Sequence, residues 1–115
     1  MNGDTRPISW VKSARKAFEA FPEGARDRIL QALDIAAEGR TADTAKPMKG
    51  LGAGVFEVAV RYKKDAYRVV YVVQLGDEIW VVHAFQKKSK AGIATPKEEI
   101  DVVRERLKRL KERRP

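Results

Sequence analysis

At 115 residues the chain is expected to form a single domain, 1–115, large enough to bury a core without disulfide or metal support. It contains no cysteine, which excludes a disulfide scaffold, a zinc–thiolate site and thiol catalysis together. Lys and Arg number 24 against 16 Asp and Glu, and the net charge of +8 points to nucleic acid, an anionic surface or an acidic protein as partner. The longest apolar runs, such as 69–73, have the length of a strand, far short of a bilayer span, and the N-terminus lacks the apolar segment of a signal peptide. The expectation is a cytoplasmic protein with no membrane partner.

Pro7 to Val11 reads as a short strand. Trp10, Ala14, Phe18 and Phe21 then recur at helical spacing. Pro22 interrupts, and Ala25, Ile29, Leu33 and Ala36 make a second helical stripe that ends at Gly39, a natural stop. Residues 41–54 are polar, contain Pro47, Gly50, Gly52 and Gly54, and read as a loop carrying the basic pair Lys46 and Lys49. Three segments rich in β-branched and aromatic residues follow, Val55–Tyr62, Tyr67–Val73 and Ile79–Gln86, and their short connections predict an antiparallel meander. After a polar loop, Thr95, Pro96 and Glu98 match a capping box, and Ile100, Val103, Leu107 and Leu110 form the apolar face of a last helix. The C-terminal run 108–115 reads as a solvated basic surface. The order βαα–βββ–α defines an α+β domain.

Side chains alternate across a strand. That parity puts Phe56, Val58, Val60, Tyr67, Val69, Tyr71, Trp80, Val82 and Ala84 on one face, suited to packing against helices. It puts Glu57, Arg61, Arg68, Val81, His83, Phe85 and Lys87 on the other. Tight turns at Lys64-Asp65 and Gly76-Asp77 would set Arg61 opposite Arg68, Val70 opposite His83 and Arg68 opposite Phe85. Two facing arginines repel unless an anion lies between them. Arginine offers planar multi-donor recognition of phosphate, histidine carries protons near neutral pH, and phenylalanine can stack on a base. These are the parts needed for attack of a ribose 2′-hydroxyl on its own phosphate. No metal or other cofactor is called for, and the carboxylate cluster of a metal site is missing. Each residue also has a structural reading: Arg61 as an ion-pair partner of Glu57, His83 as a hydrogen-bonded structural residue, Phe85 as packing, and Lys87, Lys88 and Lys90 as solvated loop lysines.

The stretch His83-Ala84-Phe85-Gln86-Lys87-Lys88-Ser89-Lys90, followed by Thr95-Pro96-Lys97, resembles the phage-related HigB-like branch of the RelE/ParE toxin superfamily. So do Lys46-Pro47-Met48-Lys49-Gly50-Leu51, Val55-Phe56-Glu57 through Arg61-Tyr62, and Tyr67-Arg68-Val69-Val70-Tyr71, in this order. The resemblance implies a RelE-like fold, a twisted antiparallel sheet with two N-terminal helices on one face and a C-terminal helix. It also implies a type II toxin that cuts mRNA on the ribosome with basic side chains, and a cognate antitoxin, often a helix-turn-helix protein of HigA type. On that basis Arg61, Arg68, His83 and Lys87 are the expected catalytic set, and Lys46, Lys49, Phe85, Lys88 and Lys90 the expected RNA contacts. Two departures stand out: Ala59 occupies the place where relatives often carry arginine, and 91–94 lengthens the loop before Thr95. A gyrase inhibitor of ParE type and a non-catalytic nucleic-acid-binding module share the fold and compete with the nuclease reading. Arg68 is expected to be removable without a cavity, because its face lies away from the helix-packed one.

Overall fold

The computed structural model describes residues 5–87 and 94–113. Its elements in chain order are β1 (Ile8–Trp10), α1 (Lys12–Glu19), α2 (Glu23–Ala37), β2 (Ala45–Pro47), β3 (Val55–Tyr62), β4 (Asp65–Leu75), β5 (Glu78–Lys87) and α3 (Lys97–Arg113). The strands form one sheet in the order β1-β5-β4-β3-β2. The β3-β4-β5 meander is antiparallel as expected, and β1 adds to the β5 edge in parallel. The Arg6 guanidinium secures that edge by donating to the carbonyls of Val73 at 2.7 Å and Glu78 at 3.1 Å, so the β4–β5 turn is tied to the N-terminal strand.

The helical stripes behave as their spacing predicts. Ala14 and Phe18 of α1 are buried with Ala25, Ile29, Leu33 and Ala36 of α2 against Val58, Val60, Val69 and Tyr71 of the sheet. An aromatic run stitches the layers together, Trp10 to Phe18 at 4.9 Å, Phe18 to Phe21 at 5.9 Å and Phe21 to Tyr67 at 4.9 Å between ring centres. Helix α2 stops at Gly39, whose φ of 88° reverses the chain. There Gly39 N–H donates to the Ala36 carbonyl at 2.9 Å and Arg40 N–H to that of Ile35 at 3.1 Å, the paired bonds of a Schellman stop. The other face of the sheet is covered by α3. Its Val103, Leu107 and Leu110 bury against Leu51, Val55, Val70, Val72 and Val82.

Four details depart from expectation. The segment read as loop contains the edge strand β2, which pairs antiparallel with β3. Pro47 is tolerated there because an edge strand leaves one side free of ladder bonds. The β3–β4 hairpin turns on Lys63-Lys64, with Lys63 at a φ of 58° and Tyr62 opposite Asp65. That shifts the register by two residues from the one expected, so faces are kept while partners change. In β5 the register steps between Val70, opposite His83, and Tyr71, opposite Val81. Val82 is therefore the extra residue of a bulge. Ile79 and Val81 consequently pack with the α1–α2 core, while Val82 joins the α3 side with His83. Finally, the Thr95 hydroxyl donates to Glu57 Oε2 at 2.9 Å, so it serves the sheet instead of the expected capping box.

Candidate active site

The corrected registers arrange the α3-facing side of the sheet as three rows across β3, β4 and β5. The first row is Glu57–Val70–His83, the second Ala59–Arg68–Phe85 and the third Arg61–Ala66–Lys87. Lys46 of β2 extends the first row next to Glu57. The bulge at Val82 matters here, because strict alternation from Ile79 would place His83 on the Val81 side of the sheet. The lower part of this face is apolar and sits under the body of α3; the polar rows lie under its first turns.

Two hydrogen-bonded groups occupy the rows. In one, Arg68 Nη1 lies 3.2 Å from Glu57 Oε1 and 3.4 Å from Thr95 Oγ1, with Thr95 closing the triangle onto Glu57. The Arg68 and Glu57 side chains are 9% and 13% exposed, so the pair is largely out of water. In the other, His83 Nε2 lies 2.6 Å from Glu99 Oε1, and Arg106 Nη1 lies 3.1 Å from His83 Nδ1. The Arg106 Nη1 also donates to the Val82 carbonyl at 2.9 Å, using the carbonyl at the bulge. A guanidinium can only donate. His83 Nδ1 must therefore present its lone pair to Arg106, and Nε2 must carry the proton that it donates to Glu99. The geometry selects one neutral tautomer. Burial, and next to it the Arg106 charge, pulls the His83 pKa below its ordinary value, against the pull of Glu99. Burial likewise lowers that of Arg106. Phe85 stacks on the His83 ring at 5.1 Å and 25°, and bridges the two groups as the cross-strand neighbour of Arg68.

The model of the family described as "Phage derived protein Gp49-like (DUF891)" matches residues 16–108. The chain belongs to this Gp49-like family. The matched span contains Glu57, Arg68, His83, Thr95, Glu99 and Arg106, the members of the two hydrogen-bonded groups, and Phe85 between them. No curated protein matches the chain. Among solved structures, a double arginine-to-alanine mutant of the E. coli toxin RelE in the free state is similar at 17% identity and a TM-score of 0.60, over 91% of this chain and 97% of that one. The toxin–antitoxin complex RelBE2 of Mycobacterium tuberculosis is similar at 13% identity and a TM-score of 0.51, over 77% and 98%. The RelB-RelE antitoxin–toxin complex of Methanococcus jannaschii gives 20% identity and a TM-score of 0.50, over 67% and 87%. At these identities the likeness establishes the fold, which is the RelE-like α+β arrangement expected from the sequence.

Within this Gp49-like domain the expected residues separate. Arg68, His83, Phe85 and Lys87 share one buried face, each no more than 8% exposed when backbone and side chain are taken together. Lys87 Nζ donates to the Ala94 carbonyl. Arg61 does not face Arg68; it pairs across the ladder with Ala66, is exposed, and its carbonyl accepts from Arg28 Nη1 at 2.8 Å. The ion-pair partner of Glu57 is Arg68, not Arg61. Lys46 and Lys49 are exposed, Lys46 beside Glu57 and Lys49 in the loop after β2. Lys88 and Lys90 lie outside the described residues. Sequence reasoning passed over Glu99 and Arg106. Their signal was present: Glu99, Val103, Arg106 and Leu110 follow a spacing of four, three and four, so both charges lie on the buried stripe of α3 and must meet a partner there.

Proposed function

We propose that this chain is the toxin of a type II toxin–antitoxin pair that cleaves translated mRNA on the ribosome. The observation that carries the reading is the alignment of Arg68, Phe85 and His83 on one face of a RelE-like sheet, with Glu57 accepting from Arg68 and Glu99 from His83. Carboxylate oxygens here accept hydrogen bonds from the groups that would otherwise bind phosphate oxygens. When RNA enters, the scissile phosphate takes the place of those acceptors, Thr95 and Glu99 give way, and a base stacks beside Phe85. A proton leaves the ribose 2′-hydroxyl as its oxygen bonds to phosphorus; the bond to the 5′-oxygen breaks as that oxygen is protonated. The products are a 2′,3′-cyclic phosphate and a 5′-hydroxyl. His83 is the proton carrier, and Arg68 and Arg106 stabilise the charge that develops on phosphorus oxygens. Lys46, Lys49, Lys87, Lys88 and Lys90 hold the backbone, and Arg61 lies at the rim. The chain acts in the cytoplasm as a single domain, and its partner is a cognate antitoxin of helix-turn-helix, HigA-like type.

The test is a single-turnover assay on ribosomes programmed with a defined mRNA. Cleavage within the reading frame that stops when translation is blocked and is lost in His83→Ala supports the reading. Intact mRNA accompanied by failing DNA supercoiling overturns it in favour of a ParE-like gyrase inhibitor. RNA binding unchanged by His83→Ala, without cleavage by the parent, overturns it in favour of a binding module.

A further inference from the structure

A second surface, none of whose lining residues belongs to the His83 cluster, lies where α1 meets the last turns of α3 across β1. It forms an open groove of about 590 Å³. Trp10, Trp80 and Leu110 form its apolar part, while Lys12, Lys16 and Arg113 stand around it. Among the described residues no acidic one lines it. These three cations make no ion pair among the described residues, whereas the neighbouring Arg109 is held by Glu105 at 3.1 Å. The start of α1 adds to the same sign of charge. Its cap position is Val11, which makes no side-chain cap bond, and the first turn contains no acidic residue. Among the described residues, the N–H groups that open the helix thus receive no carboxylate or hydroxyl from the cap position that usually serves them.

We propose that this groove docks an acidic peptide segment of a partner protein, anchored by an aromatic or large aliphatic side chain. Charge complementarity selects the acidic part: three unpaired cations and an uncapped helix start attract carboxylates. The apolar floor selects the anchor. A side chain set against Trp10, Trp80 and Leu110 gains about 25 cal/mol for each Å² of apolar surface removed from water, a gain that a sugar–phosphate backbone cannot match. The inference is independent of the nuclease reading, because none of these residues belongs to the buried polar cluster.

The groove carries its own reporter, since Trp10 and Trp80 are the chain's two tryptophans. A displayed library of random 12-residue peptides is selected on the intact chain, and enriched peptides are titrated by tryptophan fluorescence. The expected consensus is several Asp or Glu around one Trp, Phe or Leu, with a spectral shift on binding. Affinity should fall about tenfold or more in Lys12→Glu/Lys16→Glu/Arg113→Glu, given three exposed charge pairs each reversed in sign. The milder Lys12→Gln/Lys16→Gln variant guards against a folding defect, with an unchanged melting curve as control, and should lose affinity in the same direction. Failure to enrich any peptide, a consensus without acids, or binding that ignores both variants overturns the proposal. So does a single-stranded oligoribonucleotide that quenches both tryptophans in the parent but not in the reversal variant, which would make the groove an RNA contact.

Discussion

Replacing Arg68 separates its structural role from its chemical one. Parity alone suggested that this arginine could be removed from an open face at no structural cost, but its side chain is 9% exposed and paired with Glu57 at 3.2 Å. Arg68→Met keeps most of the volume and removes the charge, leaving the Glu57 carboxylate, 13% exposed, with Thr95 as its remaining described partner. Breaking one side of a buried pair costs roughly 3–5 kcal/mol. Residual solvent contact of Glu57 reduces that to about 2–3 kcal/mol, a fall in Tm of roughly 10 °C for a domain of this size. The double variant Arg68→Met/Glu57→Leu removes both charges and should recover most of the loss, since replacing both partners with apolar groups is close to neutral. Cleavage on programmed ribosomes should stay depressed by about a hundredfold in both variants, because the donor to the transition state is gone in each. Thermal melting and single-turnover cleavage read the two effects separately. A single variant that melts with the parent, or a double variant no more stable than the single, would refute the ion-pair argument. Parental cleavage by the double variant would remove Arg68 from the active site.

Three further outcomes follow from the same geometry. His83 is more easily kept neutral in the fold than in the unfolded chain, so the unfolded chain binds more protons; stability should be complete above about pH 6.5, the ordinary histidine value, and fall as pH drops through the lower folded pKa. Equilibrium denaturation across that range should show the decline in the parent and its loss in His83→Gln. As the only histidine, His83 gives one imidazole titration by NMR: Arg106→Leu should move it upward by removing a cation, and Glu99→Gln downward by removing the carboxylate, and the reverse order would contradict the placement of His83 between these two groups. Gly54→Ala should destabilise by roughly 1–3 kcal/mol in denaturant titration, because φ is 77° and a Cβ would stand 2.7 Å from Gln74 Cγ and 3.1 Å from Val73 Cγ2.

Local pattern was enough for the helices, the meander and the apolar face, because periods of 3.6 and 2 are written residue by residue: Ile29 and Leu33, or Val58 and Val60, declare their side without reference to distant chain. The gathering of Arg68, His83 and Phe85 was legible for the same reason, helped by the turn at Gly76-Asp77 and by resemblance to a known family. Three features needed the tertiary structure. The place of Arg61 depended on which pair of residues turns the hairpin, and Lys63-Lys64 and Lys64-Asp65 are both short and polar. The sidedness of Val81 and Val82 depended on a bulge, and an extra residue leaves no mark where consecutive residues, Ile79 to Val82, are all apolar. The tautomer and burial of His83 depended on Glu99 and Arg106, 16 and 23 residues away along the chain. Sequence determined that these charges lie on the inward stripe of α3; only the docking of that helix onto the sheet decided which buried group each one meets, because an ion pair is formed by distance in space and not along the chain.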